Sequence, residues 1–244
     1  MLKINKQQNP VWILCTPRSG STYLSKIMNS TKNFNPPFAE YLGWKKNLFM
    51  NPESLKENPP VFCKALHVHL NRIFFDPSYL KDVEHNNYLQ TKKPPLEAKT
   101  ILEKSLPNLR FVWLKREDVI GQTVSYCIAS EASKTKSFFN MDSKKKQQEF
   151  LDMPLCITDE LLLSFYKTVL KYNDIWMDFI GSSDVFFIKY EEINQSSLKE
   201  LFNFLELPKE NLAEALCIAQ KESLKSAVLR KDFCLLSDRL KQII

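Results

Sequence analysis

The stretch Val11-Trp12-Ile13-Leu14-Cys15-Thr16-Pro17-Arg18-Ser19-Gly20-Ser21-Thr22 constrains this chain more than any other. Val11 to Cys15 is an apolar run of the length of a buried strand. Thr-Pro-Arg-Ser-Gly then turns the chain, and Leu24, Ile27 and Met28 follow at helical spacing. Strand, tight loop and helix aim backbone N–H groups at one spot, and the helix dipole favours negative charge there. Gly20 permits close approach, Ser19, Ser21 and Thr22 offer hydroxyls, and Arg18 adds a permanent forked cation. Pro17 to Thr22 are therefore the candidate phosphate-binding residues. The plainer reading is a Ser/Thr helix cap with an Arg beside it. This is not a Walker A loop, because Ser21 stands where a Lys would follow the last Gly. No later apolar strand ends in an obvious Walker B Asp, so the loop does not point to Mg-assisted NTP hydrolysis.

The pattern repeats downstream. Arg110 to Leu114 reads as a strand, followed by Lys115-Arg116-Glu117-Asp118 and an apolar helical face of Val119, Ile120, Thr123, Val124, Cys127 and Ile128. Asp118 suits the N-cap. Pro60 to Leu66 and Val185 to Ile188 are further strands. Residues 96–106 fit a helix. Thr158 caps a long helix with Leu161, Leu162, Phe165, Val169, Tyr172, Trp176 and Phe179 at helical spacing, and Gly181 stops it. Ser197-Leu198-Lys199-Glu200 has capping-box spacing and opens a helix to Leu205; the remainder reads as helical. Asn35 to Leu42, with Pro36 and Pro37, is a loop, and residues 134–150 read as a mobile polar stretch. Strands alternating with helices predict a three-layer α/β fold, a central parallel sheet flanked by helices, with residues 1–244 as one domain. Ligands of such sheets lie beyond the carboxyl ends of the strands, where Arg18 and Arg116 both fall.

The net charge of +6 suits an anionic ligand. No nucleic-acid motif stands out, and Lys144-Lys145-Lys146 reads as a solvated face. Six widely separated cysteines with no Cys-x-x-Cys pair read as buried free thiols of a reducing compartment. Met1 to Pro10 is polar and no long apolar span follows, so a soluble, cytoplasmic protein is expected.

Thr16 to Thr22 resembles the 5′-phosphosulfate loop of sulfotransferases, and Leu114 to Ser125 resembles their 3′-phosphate segment. The likeness is nearest to bacterial carbohydrate enzymes of the trehalose 2-sulfotransferase and nodulation-factor type. Looser matches are Pro37-Phe38-Ala39-Glu40-Tyr41, Phe62-Cys63-Lys64, and Lys189-Tyr190-Glu191-Glu192 with Phe204 to Pro208. The resemblance implies a P-loop-like fold and 3′-phosphoadenosine-5′-phosphosulfate as co-substrate, with no metal. It implies that Arg18 and its loop hold the phosphosulfate and stabilise charge on the leaving oxygen, while Arg116 and Ser125 hold the 3′-phosphate. Glu40 is the matching general base. His67 competes for that role, since His bases serve other sulfotransferases and an unperturbed imidazole titrates near 6.5. Lys64 matches a position that contacts the transferring group; otherwise it is a strand-end Lys. His67 and His69 lack a convincing third ligand, so no metal site is expected.

The sequence departs from the pattern at Thr123, where Ala is usual, and after Ala129, where the relatives' Thr-Gly-x-Trp is missing. That segment shapes the acceptor side, so the acceptor stays open between carbohydrate and glycolipid. A homodimer, a cofactor contact by Arg230-Lys231 and a lid over Lys134 to Lys146 stay open too. The alternatives are a P-loop kinase-like phosphotransferase and a nucleotide-binding relative without catalysis.

Overall fold

A computed structural model describes residues 9–31, 62–66, 99, 103–104, 108–135, 151–181, 184–223 and 232–244, with the backbone alone at 62–66. Its core is a parallel sheet in the order β2-β1-β3-β4, formed by Val11–Cys15 (β1), Phe62–Leu66 (β2), Arg110–Lys115 (β3) and Val185–Lys189 (β4). β1 is an inner strand: Ile13 lies opposite Lys64 on β2 and Val112 on β3. All five residues of β1 are buried, as an apolar run covered on both faces requires.

Alternation along the strands divides the core in two. Val11, Ile13, Cys15, Val112, Leu114 and Ile188 pack with Leu24, Ile27 and Met28 of α1 (Ser21–Ser30). Leu198, Leu201 and Phe202 of α4 (Gln195–Phe204) and Ala215 and Ala219 of α5 (Leu212–Ser223) complete that layer. On the opposite face Phe111 meets Phe179 edge-to-face, and Phe179 meets Trp176, both from α3 (Asp159–Ile180). α3 packs against α2 (Val119–Thr135) and α6 (Asp232–Ile243) through Val124, Cys127, Ile128, Leu162, Leu236 and Leu240. The result is the expected three-layer α/β architecture.

The cap chemistry agrees with the sequence reading at two helices and differs at a third. Thr158 Oγ1 accepts from the Leu161 N–H, and Gly181 closes α3 with φ 54°. Asp118 Oδ1 accepts from the Gly121 N–H at 2.8 Å and starts α2. α4 begins one turn earlier than expected, because Asn194 and Ser197 satisfy each other's backbone groups. Asn194 Oδ1 accepts from the N–H groups of Ser196 and Ser197, while the Asn194 N–H donates to Ser197 Oγ. Ser197 is the third helical residue, not the cap. α2 likewise runs on through Lys134 to Thr135, so the stretch expected to be mobile starts as helix.

Cys15 and Cys127 are buried free thiols as expected, but Cys156, Cys217 and Cys234 are exposed. Apolar neighbours in sequence did not reveal that Cys217 and Cys234 face outward from α5 and α6. No helix among the described residues is long and apolar enough to cross a membrane. The expectations for Asn35 to Leu42, most of the 96–106 helix, 136–150 with Lys144 to Lys146, and Arg230-Lys231 lie outside the described residues, as does the one for the side chain of Cys63.

Candidate phosphate-binding site

The loop after β1 folds tightly because two residues adopt left-handed backbone, Arg18 at φ 63° and Gly20 at φ 89°. The Ser19 N–H between them donates back to the Thr16 carbonyl at 3.3 Å. Gly20 is the N-cap of α1, and no side chain caps that helix start. A Cβ on Gly20 would lie 2.1 Å from Tyr190 Cδ2, so the loop and the end of β4 meet at a point only glycine allows. Ser19 is fully buried, and its Oγ has no hydrogen-bond partner among the described residues. A buried hydroxyl with no partner beside an uncapped helix start is a donor set waiting for an anion.

α2 holds this loop from the other side. Gln122 Nε2 donates to Thr16 Oγ1 at 2.6 Å and to the Pro17 carbonyl at 2.8 Å. Three residues on, Ser125 Oγ accepts from Arg18 Nε at 3.0 Å. Residues 118, 121, 122 and 125 share one helical face, so a single face of α2 serves both loops. From α3, Trp176 Nε1 donates to the Cys15 carbonyl at 2.9 Å and fixes the end of β1. The Arg18 side chain keeps exposed surface, yet protein crowds its guanidinium. That desolvation, with the charge of Arg116 next, lowers its pKa from the ordinary value. An arginine remains protonated under such a shift, so the cost appears as a preference for a bound anion.

The second junction, β3 to α2, is held by ion pairs. Arg116 Nη2 donates to Asp118 Oδ2 at 3.1 Å, and Arg116 Nε lies 3.7 Å from Glu191 Oε1. Glu191 also accepts from the N–H groups of Glu117 at 3.0 Å and Asp118 at 3.2 Å. The Arg116 guanidinium stands 5.5 Å from the Tyr190 ring centroid. Lys189 pairs with Glu117 at 2.8 Å and Glu192 at 3.0 Å, and those hydrogen bonds raise its pKa. Gly121 is needed here, since a Cβ would lie 1.9 Å from Asp118 Oδ2. Beyond this pair a cavity of about 350 Å³ opens between α2 and α6, lined in part by Gly121, Phe233, Ser237 and Lys241.

The structure therefore brings together Pro17, Arg18, Ser19, Gly20, Ser21, Thr22, Arg116 and Ser125. Ser125, which the resemblance assigns with Arg116 to the 3′-phosphate, accepts from Arg18 Nε. Glu40 and His67 lie outside the described residues, as does the side chain of Lys64, whose backbone lies opposite Ile13. Gln122, Trp176, Tyr190 and Glu191 were not foreseen as site residues, although Gln122, Tyr190 and Glu191 lie inside the matched segments.

The model of the family described as "Sulfotransferase family" matches residues 10–211. No curated protein sequence matches the chain. Among solved structures, sulfotransferase STF9 from Mycobacterium avium is similar at a TM-score of 0.47 and 13% identity, covering 97% of this chain and 76% of that one.

Proposed function

The chain belongs to the sulfotransferase family, and from that premise we propose that it transfers a sulfuryl group from 3′-phosphoadenosine-5′-phosphosulfate to a hydroxyl of a carbohydrate or glycolipid. One observation carries the reading. Arg18 and Arg116 stand just past the carboxyl ends of adjacent parallel strands, and one face of α2 bonds to both loops. Arg18 pairs with no carboxylate among the described residues and donates only to a neutral hydroxyl. A ligand with negative charge at both ends matches two cations so placed.

In this reading the N–H groups at the start of α1, Ser19, Ser21, Thr22 and Arg18 hold the 5′-phosphosulfate. Preorganised donors there stabilise charge building on the leaving oxygen, each worth roughly 3–4 kcal/mol. When bound, the donor supplies a sulfuryl group whose bond to the 5′-phosphate oxygen breaks as the acceptor oxygen bonds to sulfur. Arg116 holds the 3′-phosphate and the cavity beside α6 receives the nucleoside. Glu40 takes the acceptor proton, with His67 the competing base, and Lys64 contacts the transferring group from the strand next to β1.

Thermal unfolding with adenosine 3′,5′-bisphosphate tests the nucleotide site. Ligand at about 100 times its dissociation constant adds roughly 2.7 kcal/mol, so the midpoint rises by several degrees. The rise is lost in Arg18→Ala and Arg116→Ala. A rise with Mg-ATP alone would replace this reading with the phosphotransferase one. Glu40→Gln then removes sulfated product from a glycan panel while leaving bisphosphate binding intact.

A further inference from the structure

At the β3–α2 junction two consecutive backbone N–H groups and a guanidinium surround one point, an arrangement that ordinarily receives an external anion. Here an internal carboxylate fills it. Glu191 places one oxygen on the Glu117 N–H and the other on the Asp118 N–H, with Arg116 Nε 3.7 Å away. The neighbours of Glu191 in sequence reach the same place. Lys189 binds the Glu117 carboxylate, and Tyr190 lies under Arg116 while its ring edge covers Gly20. Asp118 takes Arg116 Nη2, which leaves Nη1 without a partner among the described residues. The segment 189–191 thus flanks the second cation, whose buried Nε has no hydrogen-bond partner among the described residues, and, through Tyr190, touches the first loop.

We propose that Glu191 is a positioning residue: by occupying the N–H pair at the start of α2 and flanking Arg116 Nε, it aims the free edge of the guanidinium and sets its separation from the Arg18 loop. This rests on the function proposed above, and it deepens that reading by assigning the selection of a 3′,5′-bisphosphate over a 5′-monophosphate. The 5′-phosphate meets only the first loop. The second phosphate is recognised only if Arg116 stands at the right distance from that loop. A carboxylate spanning two backbone donors sets that distance more firmly than a solvated side chain, because moving it leaves both donors unmatched.

The test compares adenosine 3′,5′-bisphosphate with adenosine 5′-phosphate by calorimetry on the full chain, for the native protein, Glu191→Ala and Glu191→Gln. In Glu191→Ala the affinity for the bisphosphate falls roughly ten-fold or more, the scale of one lost charge-assisted contact, while that for the 5′-phosphate is retained. Glu191→Gln keeps an acceptor for the N–H pair and recovers part of the preference; it also serves should the Ala variant fail to fold. An equal loss for both ligands would mean a structural role alone and overturn the proposal. So would an unchanged preference in both variants, with the functional reading left standing. A native protein that binds the bisphosphate no better than the 5′-phosphate would overturn both.

Discussion

Gly20 and Gly181 both have positive φ, but their surroundings separate two costs. A Cβ at Gly20 meets the Tyr190 ring at 2.1 Å, whereas one at Gly181 has nothing within 4 Å. Gly181→Ala therefore carries only the backbone cost of φ 54° and ψ −124°, a conformation outside the left-handed helical region that costs about 1–3 kcal/mol. Gly20→Ala, at φ 89° and ψ 11°, combines a left-handed backbone cost with displacement of Tyr190, which in turn supports Arg116, for about 2–4 kcal/mol. Urea denaturation of Gly20→Ala alone and in a Tyr190→Ala background separates the two parts. An equal loss in both backgrounds would show that Tyr190 yields freely and does not tie the loops together. Burial also marks Gln122 on α2: it is fully buried, and its two donated bonds both end on the candidate phosphate-binding loop.

At the scale of elements, the helix starts show how far one-dimensional reading reaches. Thr158 was legible as a cap because a single hydroxyl precedes a single apolar pattern. At α4 two patterns overlap, Asn194-x-x-Ser197 and Ser197-x-x-Glu200, one turn apart. Spacing alone does not choose between them. The pairing is settled by Ser197 reaching back to the Asn194 N–H and to the Glu192 carbonyl at 2.6 Å. Asn194→Ala consequently destabilises the protein by about 1 kcal/mol in thermal or urea unfolding. Loss of stability from Glu200→Ala but not from Asn194→Ala would restore the later start. The strands were legible because each is a short apolar run, and the two cations because each stands where a strand gives way to a helix. The clamp around them was not, since Gln122 meets Thr16 and Glu191 meets Glu117 only through the order in which β1, β3 and β4 lie side by side.

For the molecule as a whole, the layer of α2, α3 and α6 makes stability depend on alkaline pH. Cys127 is fully buried there, and desolvation, with Glu131 adding to it, pushes its thiol up to about 12. Unfolded, the thiol ionises near its ordinary value of about 8.5. The unfolded chain therefore loses that proton first, and stability present below that value declines as pH rises towards about 12. Burial raises Tyr172 in the same direction, so its contribution adds. Urea unfolding at increasing pH should show the decline, and Cys127→Ala should make it shallower. An identical slope in the variant would place the alkaline sensitivity elsewhere.

One face of α2 carries Asp118 and Gly121 toward one loop and Gln122 and Ser125 toward the other. Each residue inserted between them would turn all that follow by about 100° and carry Gln122 and Ser125 away from their loop. That stretch is therefore a gear tooth whose count is protected even where its letters are free. Substitutions on its outer side can accumulate, while an insertion or deletion of a single codon within it breaks the mesh.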